Sequence, residues 1–111
     1  MSPWRGIIAA VLAAGLLVGC TSLRGARLYA SGSDALDRGD LAEAIAELER
    51  AAALVPEASE VHNHLGVAYT EAGRSQDALL AFEQAVALDC TNEAATANLR
   101  AARHRLARED P

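Results

Sequence analysis

The sequence predicts an all-α protein, a short α-solenoid of two helix-turn-helix units followed by a closing helix. Shifted against itself by 34 positions without a gap, the chain superposes Gly32 on Gly66, Gly39 on Gly73, Ala44 on Ala78, Glu49 on Glu83, Ala51 on Ala85, Ala53 on Ala87 and Leu54 on Leu88. Within each copy the apolar residues recur at three- and four-residue spacing, the period of one helix face. The composition agrees, because only 4% of residues are aromatic and much of the apolar content is alanine, which favours helices in close approach over a bulky core. Units of this length stack in a row and build binding surfaces rather than active sites.

The first segment reads as an address. Arg5 is the only charge before Arg24, and Gly6 to Gly19 is an unbroken run of small and apolar residues. A positive start and a short apolar stretch are the layout of a secretory signal. A membrane-crossing helix needs about 20 apolar residues, whereas this run stops at Gly19 and Cys20 before polar Thr21 and Ser22, so a permanent span is disfavoured.

Leu17, Val18, Gly19 and Cys20 resemble the lipobox of bacterial lipoproteins. The resemblance implies a diacylglycerol on the Cys20 thiol, cleavage before it and N-acylation of the new terminus. On that reading residues 1–19 are a signal peptide and 20–24 a lipidated N-terminus with a short linker. The plain alternative is an ordinary signal with a cysteine at the cut. Stable anchoring takes more than one acyl chain, and the lipobox implies enough of them. It also implies a place in the bacterial envelope, where Thr21, not being Asp, points to the outer membrane, periplasmic side. Five extended residues reach at most about 18 Å, so the repeats are expected to ride close to the membrane.

The first copy spans 25–58 and the second 59–92. Gly39 and Gly73 stand where each first helix should end, the usual site of a residue with positive φ. Asp40 with Glu43 reads as a capping box for the next helix, and Ser75 as the cap in the second copy. Leu41, Ala44, Ile45, Leu48, Ala52 and Val55 share one helical face, as do Ala78, Leu79, Phe82 and Val86, and both stripes are expected in the core. Gly32 and Gly66 are expected to face the alanines Ala44, Ala51, Ala78 and Ala85, small against small. In the closing helix, 93–108, Ala95, Leu99, Ala102 and Leu106 form an apolar stripe, with Arg100, Arg103, His104 and Arg108 on the wet side. It is a cap or the first helix of a truncated third repeat, and 109–111 form a tail. Two repeats and one helix fall below the usual minimum of about three repeats, which favours modest stability or self-association.

Leu65, Gly66, Tyr69, Ala78, Phe82 and Ala85 in the second copy resemble the preferred positions of the tetratricopeptide repeat. The second copy departs from them at His62, read as a packed substitute for an aromatic, and at Cys90. The first copy keeps Gly32, Ala44, Ala51 and Pro56, has Leu48 for the aromatic, and departs at Leu28, Ser31 and Ala35. The resemblance implies a ligand groove lined by the first helix of each pair. That groove would show Tyr29, Ser33, Leu36 and Asp37, then Asn63, Val67, Thr70 and Glu71, then Ala97, Asn98 and Ala101. Tyr29, Ser33, Ala94 and Asn98 do not reproduce the clamp with which some relatives hold a peptide's terminal carboxylate.

A net charge of −5 and pI near 5.1 exclude a nucleic-acid partner, which would need a basic face. No catalytic constellation appears, so an enzyme is not expected. His62 and His64 point about 200° apart on a helix and cannot chelate one metal together; no metal and no cofactor other than the covalent lipid is expected. Cys90 is left alone once Cys20 carries lipid, which permits a disulfide-linked homodimer. Together the two resemblances imply a lipid-anchored envelope adaptor or scaffold that binds another envelope protein or peptide, as in assembly of a pilus, secretion or cell-wall complex. The alternative is a self-associating structural lipoprotein.

Overall fold

The structure, a computed structural model, describes the backbone of residues 3–110 and the side chains of 3–4 and 19–110. The side chains of Arg5 and of the apolar run through Val18, as well as Pro111 of the expected tail, lie outside the described residues. Five helices follow one another, α1 (Trp4–Asp37), α2 (Leu41–Leu54), α3 (Ser59–Glu71), α4 (Ser75–Leu88) and α5 (Glu93–Glu109). No strand occurs among the described residues. The molecule measures 72 × 27 × 20 Å, and much of the long dimension is α1, whose 34 residues extend about 50 Å at 1.5 Å per residue.

Residues 20–24, expected as a linker, continue α1 as helix, because no proline or turn signal interrupts the segment. Gly19 through Arg24 are nevertheless exposed, and burial begins at Gly25, where a Cβ would run into Val55 just beyond α2 and touch Leu54 at its end. From there α1 pairs with α2 and α3 with α4, and α5 lies against α3 and α4.

Both hairpin turns are built alike. Gly39 and Gly73 each have φ of 76°, the left-handed region that glycine enters without a Cβ penalty. Gly39 donates to the Leu36 carbonyl and Asp40 to that of Ala35; Gly73 donates to Thr70 and Arg74 to Tyr69. This paired Schellman pattern satisfies carbonyls that the ends of α1 and α3 leave without helical partners.

The caps differ. Asp40 accepts from the Glu43 N–H at 3.3 Å, but Glu43 turns its carboxylate to Arg38 at 3.3 Å, so only half of the expected box forms; the Asp40 N–H is already taken by Ala35. In the second copy the cap position belongs to Arg74, not Ser75, and no side chain caps α4. Arg74 Nε donates to Asp77 at 2.8 Å, while Ser75 Oγ reaches Glu109 of α5 at 3.4 Å.

The core comprises Ala35, Leu36, Ala44, Leu48, Leu65, Ala68, Tyr69, Ala78, Ala81, Phe82, Leu99 and Ala102, with Leu41, Ile45, Leu79 and Val86 packed at its margin. The glycines do not face alanines as expected. A Cβ on Gly32 would stand 2.7 Å from Leu48 Cγ, and one on Gly66 would stand 2.5 Å from the Phe82 ring. Each pair therefore packs its smallest residue against a large buried side chain of the partner helix, which lets that side chain fill the seam without spreading the helices. His62 is half-buried and binds the Pro56 carbonyl through Nε2 at 2.9 Å, tying down the turn between α2 and α3 instead of filling the core as an aromatic would.

In α5 the apolar stripe is buried at Ala95, Leu99 and Ala102. The position 34 residues after Gly66 is Arg100, which is exposed. α5 therefore carries an arginine where α1 and α3 carry the glycines that receive Leu48 and Phe82.

Candidate protein-binding groove

The first helices α1, α3 and α5 lie side by side, α3 touching both of the others. Two hollows run between them. Leu36, Asp37, Arg38, Gly39, His64, Val67 and Glu71 line one of about 550 Å³ between α1 and α3. Val67, Thr70, Glu71, Phe82, Asn98, Ala101, Ala102 and Arg105 line a narrower one of about 160 Å³ reaching α5. They share Val67 and Glu71 and so form one groove, of mixed lining between α1 and α3 and more apolar toward α5.

Its charges are unevenly committed. Arg38 is held by Asp34 and Glu43. Among the described residues, the exposed carboxylates of Asp37 and Glu71 and the guanidinium of Arg105 make no ion pair. Asp37, Glu71 and Arg105 occupy equivalent positions at 34-residue intervals, so the rim runs acid, acid, base along the stack.

Several expected groove residues serve the scaffold instead. Leu36 is 9% exposed and mainly core. Asn63 is 5% exposed, and its Oδ1 accepts from Asn98 Nδ2 at 2.9 Å, so both amides pin α3 to α5. Thr70 Oγ1 returns to the Gly66 carbonyl at 2.9 Å. Ala97, one turn before Ala101 on α5, borders a separate hollow with Cys90, Thr96 and Arg100. Ser33 Oγ is buried with no hydrogen-bond partner among the described residues.

Tyr29 meets His64, which sequence reasoning missed. Their rings stand edge to face, 5.1 Å apart at 88°, and Tyr29 Oη lies 3.3 Å from His64 Nδ1. That nitrogen is 3.0 Å from the Glu60 carbonyl, an obligate acceptor, so Nδ1 carries the proton and the Tyr29 oxygen shares it. Burial holds the Tyr29 phenol above its ordinary pKa, with Ser33 working against the shift and the Glu60 carboxylate adding to it. The contact spans 35 residues, one more than the repeat, as does Asn63 to Asn98. No identity within a copy signals that offset. Arg105, by contrast, was legible as the third member of the Asp37 and Glu71 series.

On the opposite side of the seam, Tyr69 donates to Glu49 at 2.5 Å and lies under the Arg74 guanidinium, 4.5 Å from the ring centre. Burial and the Glu49 carboxylate push the Tyr69 phenol to about 12. Ser59 Oγ donates to the Ala85 carbonyl at 2.8 Å and accepts from Asn92 at 2.9 Å, while Asn92 Oδ1 caps α5 by accepting from Ala95 N at 3.0 Å.

Residues 29–94 match the profile of the tetratricopeptide repeat. The chain belongs to the tetratricopeptide repeat family. The fold of this tetratricopeptide repeat protein is similar to that of a solved structure, the Arabidopsis OM64 TPR domain, with a TM-score of 0.76 at 19% identity, covering 79% of this chain and 73% of that one. No curated protein matches the chain. Tetratricopeptide repeats in general mediate protein–protein interaction and are adaptors more than enzymes, and the groove fits that class. Among the described residues no three His, Cys, Asp or Glu side chains gather as a metal site, and no helix is long and apolar enough to cross a membrane. Cys20 and Cys90 are both exposed.

Proposed function

We propose that this tetratricopeptide repeat protein is a lipid-anchored adaptor of the bacterial envelope, on the periplasmic face of the outer membrane, which docks another envelope protein or peptide in the groove between α1, α3 and α5. The observation that carries the docking role is the continuous groove, whose rim carboxylates Asp37 and Glu71 have no ion-pair partner among the described residues. The anchoring role rests on Leu17-Val18-Gly19-Cys20 and on the position of Cys20, exposed and five residues ahead of the first residue that α2 buries. Assembly of a pilus, secretion or cell-wall complex is the setting we propose for it.

Cys20→Ala separates the two parts. The variant is expected to leave the membrane fraction, and retention there would overturn the anchor. A pull-down from envelope extracts with the wild-type chain, compared with Asp37→Lys and Glu71→Lys combined, tests the groove; a partner recovered equally by both would place docking elsewhere. A self-associating component is favoured by Leu80, which is 63% exposed, and by Leu88 near Cys90; sedimentation showing a tight dimer would support that second reading.

A further inference from the structure

We infer that the membrane-proximal end of the α1–α2 hairpin is a binding site for an anionic phospholipid of the membrane that holds the anchor. Arg24 and Arg50 flank a hollow of about 220 Å³ whose floor is Leu28, Ala53 and Leu54, a pairing of apolar floor and cationic rim that suits an acyl chain with a phosphate above it. Arg24 makes no ion pair among the described residues, and Arg50 shares its charge with Glu47 at 3.2 Å.

The position of this hollow selects the ligand. Cys20, Arg24 and Arg27 fall at i, i+4 and i+7 of one continuous helix, within about 40° of one face. At 1.5 Å per residue Arg24 lies about 6 Å and Arg27 about 10 Å along the axis from Cys20, inside or near one Debye length at physiological salt. The first acid of α1, Asp34, is about 21 Å away on the same scale, and Glu57 in the turn after α2 opposes the attraction from the side. Leu23, 57% exposed, sits on this stretch as a further apolar contact. An arginine at an anionic surface contributes about fivefold in binding. This inference rests on the proposed anchoring at Cys20, since the anchor is what brings the hollow to the lipid.

The full chain, purified from cells and reconstituted into vesicles of phosphatidylcholine alone or with three parts in ten phosphatidylglycerol, is digested with trypsin, and cleavage after Arg24 or Arg27 is followed against cleavage after Arg103 or Arg108. Anionic vesicles are expected to slow the first relative to the second at least fivefold. Arg50→Gln, which leaves both cleavage sites intact, is expected to remove most of that protection, and Arg50→Lys to retain it. Equal relative rates in the two vesicles, or protection unchanged by Arg50→Gln, would overturn the site. The intact mass of the purified chain reports acylation of Cys20 separately, so a failed anchor and a failed lipid site give different results.

Discussion

Gly66 packs against the Phe82 ring so closely that a Cβ on this residue would stand 2.5 Å from the nearest ring carbon. Gly66→Ala is expected to destabilise the fold by about 2 kcal/mol despite alanine's better helix propensity, since overpacking costs more than propensity returns. On a domain of this size that is a fall of about 10 °C in Tm, read by circular dichroism. Combining it with Phe82→Leu should recover part of the loss relative to the sum of the single changes. A more stable Gly66→Ala would refute this packing.

Tyr69 and Glu49 supply a titration. With the folded phenol pushed to about 12 against about 10 in the unfolded chain, the neutral form is favoured by folding. The contribution is fully present below pH 10 and is lost as pH climbs from about 10 through 12. Two units of pKa bound it at about 3 kcal/mol, and the partial exposure of the phenol reduces it below that. Tyr69→Phe is expected to lose about 1 kcal/mol at pH 8 with the hydrogen bond, and the gap to wild type should close as denaturation is repeated toward pH 12. A constant gap would show that the phenol is not perturbed.

Gly39 and Gly73 share φ of 76° and have open space around them. Alanine at either is therefore opposed by backbone conformation alone, at about 1 kcal/mol, with asparagine milder. Urea unfolding of Gly39→Ala and Gly73→Ala should give similar losses, in contrast with the clash at Gly66.

Asn98→Ala leaves the 5%-exposed Asn63 without its partner and is expected to cost about 1 to 2 kcal/mol. Changing both residues to alanine should cost clearly less than the sum of the singles, because the second change removes the stranded amide. Additive losses in a double-mutant cycle would mean that the amides do not hold α3 to α5.

The helices and their turns were legible because their causes are local. Gly39 and Gly73 end a helix through their own φ, Asp40 caps through the N–H three residues on, and the apolar stripes follow the period of a single helix. The Ser75 cap failed because the position 34 residues after Asp40 is Arg74, whose guanidinium has no acceptor to offer the first turn of α4. The groove was legible where repeat positions carry over unchanged, as for Asp37 and Glu71. It was not legible where one hairpin meets the next, since Tyr29 finds His64 and Asn63 finds Asn98 across 35 residues.

By itself the sequence determined an array of α-hairpins, its repeat length, its turn glycines, its acidic surface and a cysteine at the end of an apolar run. Those depend on contacts within one helix or one turn, which the order of residues states directly. Only the tertiary structure decided that Gly32 and Gly66 receive Leu48 and Phe82, that Asn63 is spent inside the seam, and that Arg24 and Arg50 share one hollow. Those outcomes depend on how each helix is rotated and seated against the next, a relation between side chains far apart in the chain that is fixed by packing the whole stack at once.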